Sequence, residues 1–370
     1  MERHAFRHFD YGLLLLAGVL VTYGGLLIYS ASLTAYPDGI AGLSHPVVKQ
    51  AMFALFGLMM MVIIAWMDYR VFGQMAPALY ALAILILVAV LFLGESTFGS
   101  RRWITVGGTQ IQASEVAKLL MIISLAHFLA DRQRQITRVR VFLTSLALAV
   151  LPAALIMAEP DMGTAIIFGA IWVGMVIMSG ARVQHVLILI GFLLAAIPFA
   201  ALAVLGDYQR DRIALFFNPN SDPLGGGFNI LQGEISVGSG GIFGKGLTNG
   251  SQTQLDFLQT PATDYIFSVL GEELGLIGAL VLLALFTALL FRTIRVASLA
   301  RDQFGRLLAT GIAIMILFQV FINIAVNIRL LPVTGIPLPF VSQGGSSLIM
   351  LFIALGLLQS VLLRHRQLEF

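Results

Sequence analysis

The sequence predicts an all-α polytopic membrane protein of about ten transmembrane helices, with one large extracytoplasmic loop between helices 7 and 8. Three observations predict it. Of the 370 residues, 58% are hydrophobic and 11% are charged, whereas a soluble domain carries about 25% charged residues. The apolar residues fall into runs of roughly 20, the length that crosses a bilayer as a helix. One long stretch, residues 206–265, is polar instead and rich in Gly and Pro. Residues 1–370 therefore read as a single integral membrane domain with that loop inside it. The absence of Cys excludes disulfides and thiolate metal sites.

Taken in order, the expected spans are 11–31, 48–66, 76–93, 115–130, 141–158, 163–179, 184–205, 265–291, 306–331 and 345–363. The basic start, Arg3 and Arg7, runs into a full-length span rather than into the short apolar segment of a cleavable signal. With the N-terminus in the cytoplasm, 14 of the 22 Lys and Arg residues fall on inner segments. Such a bias sets both termini inside and the large loop outside. The basic balance is thus a topology signal, and nucleic acid is not an expected partner. No GxxxxGK[ST] loop is present, so no nucleotide is expected.

Before the fourth span, Arg101-Arg102-Trp103 puts two guanidinium groups at the outer interface. Arg pairs with phosphate through forked donors, or anchors to lipid headgroups beside Trp. The fourth span carries Glu115 and Lys118, three apart and so on one helix face. Ionisable groups at membrane depth cost ~2.5–3.5 kcal/mol each and default to functional candidates. The alternative is a structural pair bonded to itself. Glu159-Pro160-Asp161 follows the fifth span, where Asp161 either serves a site or caps the next helix.

The loop opens with Tyr208-Gln209-Arg210-Asp211-Arg212, a second outer pair of guanidinium groups with Arg210 the candidate. Short surface helices are expected around 209–217 and 228–237. The run 238–246, GSGGIFGKG, permits positive φ and close backbone approach to a ligand, or is a tight turn. Asp264 stands at the entrance to the eighth span, and Thr263 or Asp264 could cap it. From Asp264, Ser268, Gly271, Gly275 and Gly278 form a stripe of small residues on one face, which turns Asp264 into the bundle. Glu272 and Glu273 lie two turns further in; at least one needs a polar interior, as a network member or cation ligand. Three prolines in 332–339 break any helix before the last span, so this segment reads as a cavity wall.

At these residues the chain resembles the shape, elongation, division and sporulation (SEDS) family, also called RodA/FtsW/SpoVE. The motifs are RRWITVGGTQIQASEVAK, EPDMGT, YQRDRI with NPNSDPLGGGFN, GSGGIFGKG, TDYIFSVLGEELGLIG and LLPVTGIPLPFVSQGGSS. They lie in the family's order along nearly the whole chain. SQTQLDFL and the PVTG form are more similar to the elongation branch. The resemblance implies a ten-helix peptidoglycan glycosyltransferase of the cell membrane that polymerises lipid II. It also implies a class B penicillin-binding protein as transpeptidase partner, together with elongation-machinery membrane proteins. It puts the essential acid at Asp264 and charged cavity residues at Glu115, Lys118 and Asp161. Arg329 stands where the family often has Gly.

The expected chemistry is inverting. A sugar hydroxyl attacks an anomeric carbon, Asp264 of ordinary carboxylate pKa takes the proton, and undecaprenyl diphosphate leaves. Lys118, Arg101, Arg102 or Arg210 would meet the diphosphate, or a divalent cation (magnesium or manganese) held by carboxylates such as Glu272. Two other classes fit a charged cavity: a lipid-linked precursor flippase and a noncatalytic scaffold.

Overall fold

The computed structural model describes residues 9–36, 39–40, 42–97, 100–106, 109–203, 206–223 and 225–365. The fold is an all-α polytopic membrane fold. Its helices are α1 (Tyr11–Ser32), α2 (Pro46–Trp66), α3 (Tyr69–Gln74), α4 (Ala76–Leu93), α5 (Ala113–Asp131), α6 (Val139–Ala158), α7 (Met162–Met178) and α8 (Val183–Ala203), then α9 (Asp207–Phe217), α10 (Gly226–Ser239), α11 (Ser251–Gln254), α12 (Ile266–Leu299), α13 (Gln303–Asn327) and α14 (Gly345–Leu363). Among the described residues, eight of these are long and apolar enough to cross a membrane, and α7 and the stretch Val183–Phe192 are shorter apolar helices.

Helices α5, α13 and α14 are the most buried and form the centre, while α2 presents Met52, Leu55, Phe56 and Met59 outward. An exposed apolar stripe of that kind suits lipid rather than water. Several helix starts are capped: Asp10 accepts from the Gly12 and Leu13 amides, and Pro46 opens α2.

One element departs from the helical expectation. Residues between α4 and α5 form an antiparallel sheet of β1 (Glu95–Thr97), β2 (Ser100–Val106) and β3 (Thr109–Gln112), in the order β1-β2-β3. It rests on α14 and α4 and carries Arg102 and Trp103 on β2.

The small-residue stripe on α12 packs against backbone, but not as an unbroken helix. Gly275 has φ +63°, so the helix kinks there. The turn after α10 lies in that kink: the Leu276 and Ile277 amides donate to the Gly241 and Ile242 carbonyls, and the Lys245 and Gly246 amides donate to the Glu272 and Glu273 carbonyls. The glycine-rich run therefore makes a close approach to α12. A Cβ on Gly244 would come within 2.1 Å of the Glu273 carbonyl oxygen.

Candidate active site

Two adjoining chambers open where the sheet, α9, α10 and the segment before α14 meet. The first encloses about 600 Å³ and is lined by Arg102, Gln112, Arg212, Asp264, Gly335 and Ser346, among others. The second, about 660 Å³, is lined by Lys49, Gln50, Met52 and Phe53. They share Trp103, Gln110, Thr263, Gln343 and Gly344 as a partition. That partition is held firmly. Gln50 donates to the Ser342 carbonyl and accepts from the Gly344 amide, and the Gln343 amide donates to the Ala262 carbonyl.

Asp264 sits in the first chamber, one residue before the N-cap of α12. Neither Thr263 nor Asp264 caps the helix; the N-cap is Tyr265, with no side-chain cap bond. The Asp264 carbonyl instead accepts from Asn327 at 2.9 Å and from Asn323 at 3.3 Å. Burial raises the Asp264 carboxyl above the usual carboxylate range; Arg212, Arg102 and a hydrogen bond from the Thr263 side chain pull it down, and Asp161 pushes it up. The ordinary acidity expected for this group is thus corrected: it is the more basic carboxylate that burial makes.

Arg102 is buried on β2. Its Nε donates to the Glu159 carbonyl at 3.3 Å, its second amino group donates to the Pro160 carbonyl, and Asp161 lies 3.9 Å away. Asp161 does cap α7, accepting from the Thr164 amide at 3.1 Å and its hydroxyl at 2.9 Å. Beside it the Glu159 carboxyl is buried with neither oxygen hydrogen-bonded. Burial first, and Asp161 second, push its pKa up to about 8 against the pull of Arg102.

The structure does not bring every expected residue to the chambers. Lys118 and Glu115 bond to each other at 2.7 Å, both buried, and line neither chamber. Glu272 lines neither chamber; its Oε1 accepts from Lys245 at 2.6 Å, from Ser251 and from the Gln252 amide, locking the glycine-rich turn to α12. Glu273 accepts from Ser30. Arg210 lies on the exposed stripe of α9 with Ala214 and Phe217, while Arg212 faces the chamber and donates to the Val333 carbonyl. Arg212, not Arg210, is the second guanidinium of the site. The side chain of Arg101 lies outside the described residues. Arg329 has φ +55°, the conformation Gly adopts freely, and its guanidinium pairs with Glu234 on α10 at 2.9 Å.

Among the described residues no group of three or more His, Asp or Glu side chains is arranged to hold a metal ion. Asp161 and Asp264 do not form a cation cage with a third acid, and Arg102 is the charge both feel.

Comparison with known proteins gives a consistent result. The profile of the FtsW/RodA/SpoVE family, described as a cell cycle protein family, matches residues 11–367. The chain is 38% identical to the peptidoglycan glycosyltransferase MrdB of Escherichia coli K12, over 96% of this chain and 93% of that one. It is 39% identical to stage V sporulation protein E of Bacillus subtilis, over 95% and 96%. It is 38% identical to a probable peptidoglycan glycosyltransferase FtsW of Geobacter metallireducens, over 97% and 96%. Among solved structures it is similar to a chain of a peptidoglycan synthase complex that coordinates polymerization and crosslinking, with TM-score 0.82, 30% identity and 97% and 99% coverage. It is also similar to the rod shape determining protein RodA of Thermus thermophilus, with TM-score 0.70, 29% identity and 96% coverage of each chain.

Proposed function

The chain belongs to the FtsW/RodA/SpoVE family of peptidoglycan glycosyltransferases, and we propose that it polymerises lipid II from the outer face of the cell membrane during wall elongation. The observation that carries the proposal is that Asp264 shares a chamber with two guanidinium groups, Arg102 and Arg212, whose charge it feels, and that this chamber adjoins a second one. A polymerase that joins two lipid-linked sugars must hold both at once. The first chamber suits the substrate whose diphosphate leaves, because both Arg side chains are there. The second has an exposed Lys49 and an apolar mouth of Leu43 and Met52, which suits the substrate that keeps its diphosphate.

In this mechanism a hydroxyl of the second substrate attacks the anomeric carbon of the first. Asp264 takes the hydroxyl proton, the bond to the diphosphate breaks, and the electron pair leaves with undecaprenyl diphosphate. Arg102 and Arg212 offset the charge that develops on it. Attack opposite the leaving group inverts α to β. Holding both substrates in one membrane plane supplies much of the acceleration. The excess of Lys and Arg on inner segments supports ten spans with cytoplasmic termini and an outward site. The PVTG and SQTQLDFL stretches favour the elongation branch, and the synthase-complex relative supports a crosslinking partner, a class B penicillin-binding protein.

The test is polymerisation of purified lipid II by the reconstituted protein, with and without a transpeptidase partner that lacks its own polymerase. Wild type should give polymer, while Asp264→Asn and Asp264→Ala fold normally and give none. Full activity in both variants would remove Asp264 from the reaction. No polymer from wild type would turn the assignment toward flipping or scaffolding of the same lipid.

A further inference from the structure

The first turn of α12 has a cap that comes from another helix. A helix start leaves its first amides without intrahelical partners, and Tyr265 offers α12 no side-chain cap. The Ser268 amide, which donates to the Tyr265 carbonyl at 2.9 Å, is shared with a residue of another helix, Asn327, the last of α13. Its Oδ1 accepts from the Ser268 amide at 3.0 Å and from the Ser268 hydroxyl at 2.7 Å. Its Nδ2 donates to the Asp264 carbonyl at 2.9 Å and to the Asn323 carbonyl at 2.8 Å. Asn323, one turn earlier, donates to the Asp264 carbonyl at 3.3 Å and to the Ile336 carbonyl at 2.8 Å. Both Asn side chains are buried.

The consequence concerns the carboxylate. Asp is a favoured N-cap residue and bonds readily to first-turn amides. Asp264 stands next to such a turn and would spend its side chain there. With the Ser268 amide shared between Asn327 and the Tyr265 carbonyl, and Asn327 holding the Asp264 backbone, the carboxylate faces the chamber with Thr263 as its hydrogen-bond neighbour. The residues before it are tied as well: the Ser342 hydroxyl donates to the Thr263 carbonyl at 2.6 Å.

We infer that Asn327 is a positioning residue of the transfer reaction: its amide caps α12 from α13 and so aims the Asp264 carboxylate at the substrate. Because it acts through Asp264, the role rests on the assignment of that residue as the base. Substrate binding lies with Arg102, Arg212 and the chamber walls.

The experiment measures lipid II polymerisation by Asn327→Ala and Asn327→Leu in the reconstituted complex, beside wild type and Asp264→Asn. Each is assayed well below its Tm, with kcat, KM and the acid limb of the rate profile read separately. Loss of aim should lower kcat by about a hundredfold, the scale of a 1 Å misplacement. KM should stay within about threefold of wild type. The acid limb should move to higher pH, because a carboxylate that drifts from Arg102 and Arg212 loses their stabilisation. A folded Asn327→Ala with kcat within about twofold of wild type overturns the inference. So does a defect confined to Tm or KM, which is all that a purely structural cap would show. If Asp264→Asn is itself active, the base assignment fails and takes Asn327 with it. If Asp264→Asn is dead and Asn327→Ala is active, Asn327 fails alone.

Discussion

Lys118 and Glu115 form an ion pair of 2.7 Å within α5, both side chains almost wholly buried and neither facing a chamber. Each neutralises the other's charge in a buried setting. Lys118→Met alone leaves a buried carboxylate without its partner, which costs about 3–5 kcal/mol. Glu115→Gln combined with Lys118→Met should recover most of that loss in thermal unfolding of the detergent-solubilised protein. If the double variant is as unstable as the single one, the pair is part of a larger network rather than self-sufficient.

The environment of Asp264 fixes the direction in which its neighbours move the pH dependence of the reaction. A base must be deprotonated, and burial raises this carboxyl above the usual range. The acid limb of kcat/KM, which reports the free enzyme, should therefore lie above that of an exposed aspartate. Arg212→Ala or Arg102→Ala removes a charge that lowers the pKa, so the limb should shift to higher pH. Asp161→Asn keeps a capping side chain for α7 but removes a charge that raises the pKa, so the limb should shift to lower pH. Shifts of the same sign in all three variants would mean that another group sets the limb.

The helices are legible because lipid demands long apolar runs, and their bounds lie within a few residues of those runs, except that α12 continues to Leu299, eight residues beyond the expected end at 291. The surface helices α9 and α10 also follow from their amphipathic phasing. The sheet did not, since Ser100–Val106 places two Arg in a short strand with no clear alternation. Asp264 was legible as a carboxylate above a small-residue stripe. The kink was not: a Gly on a helical stripe reads as packing, and only the neighbouring turn shows that Gly275 takes positive φ. Asn323 and Asn327 do not stand out in the sequence, because neutral amides cost an apolar span far less than ionisable groups do. Two amides four residues apart on an apolar helix were the available signal. Arg212 could have been separated from Arg210 by the exposed stripe of Arg210, Ala214 and Phe217.

Glu159 should make stability depend on pH. Its folded pKa of about 8 lies above the ordinary 4.5 because burial and Asp161 disfavour the anion. Between those values the folded state holds a proton that the unfolded chain has lost. Stability therefore falls as pH rises through that window, by up to about 1.4 kcal/mol per pH unit, and levels off above it. Glu159→Gln carries no such proton, so its Tm should decline less than that of wild type between pH 6 and 8. Parallel curves would show that the Glu159 carboxyl finds a partner in solution.

The glycine-rich turn offers a comparison of space against strain. Gly244 and Gly241 both have positive φ, +77° and +59°, so Ala at either is conformationally strained by about 1 kcal/mol or more. They differ in what a Cβ would meet. At Gly241 nothing lies within 4 Å, whereas at Gly244 the Glu273 carbonyl oxygen is 2.1 Å away. Gly244→Ala must push the turn off α12, and Lys245, the next residue, would then lose Glu272 at 2.6 Å. That would leave the buried Glu272 carboxylate without its cation. Gly244→Ala should therefore lower Tm well beyond Gly241→Ala and open residues 238–250 to limited proteolysis, while Gly241→Ala leaves the turn protected. Equal losses in the two variants would mean that backbone strain alone, and not the seating of the turn in the kink at Gly275, governs this region.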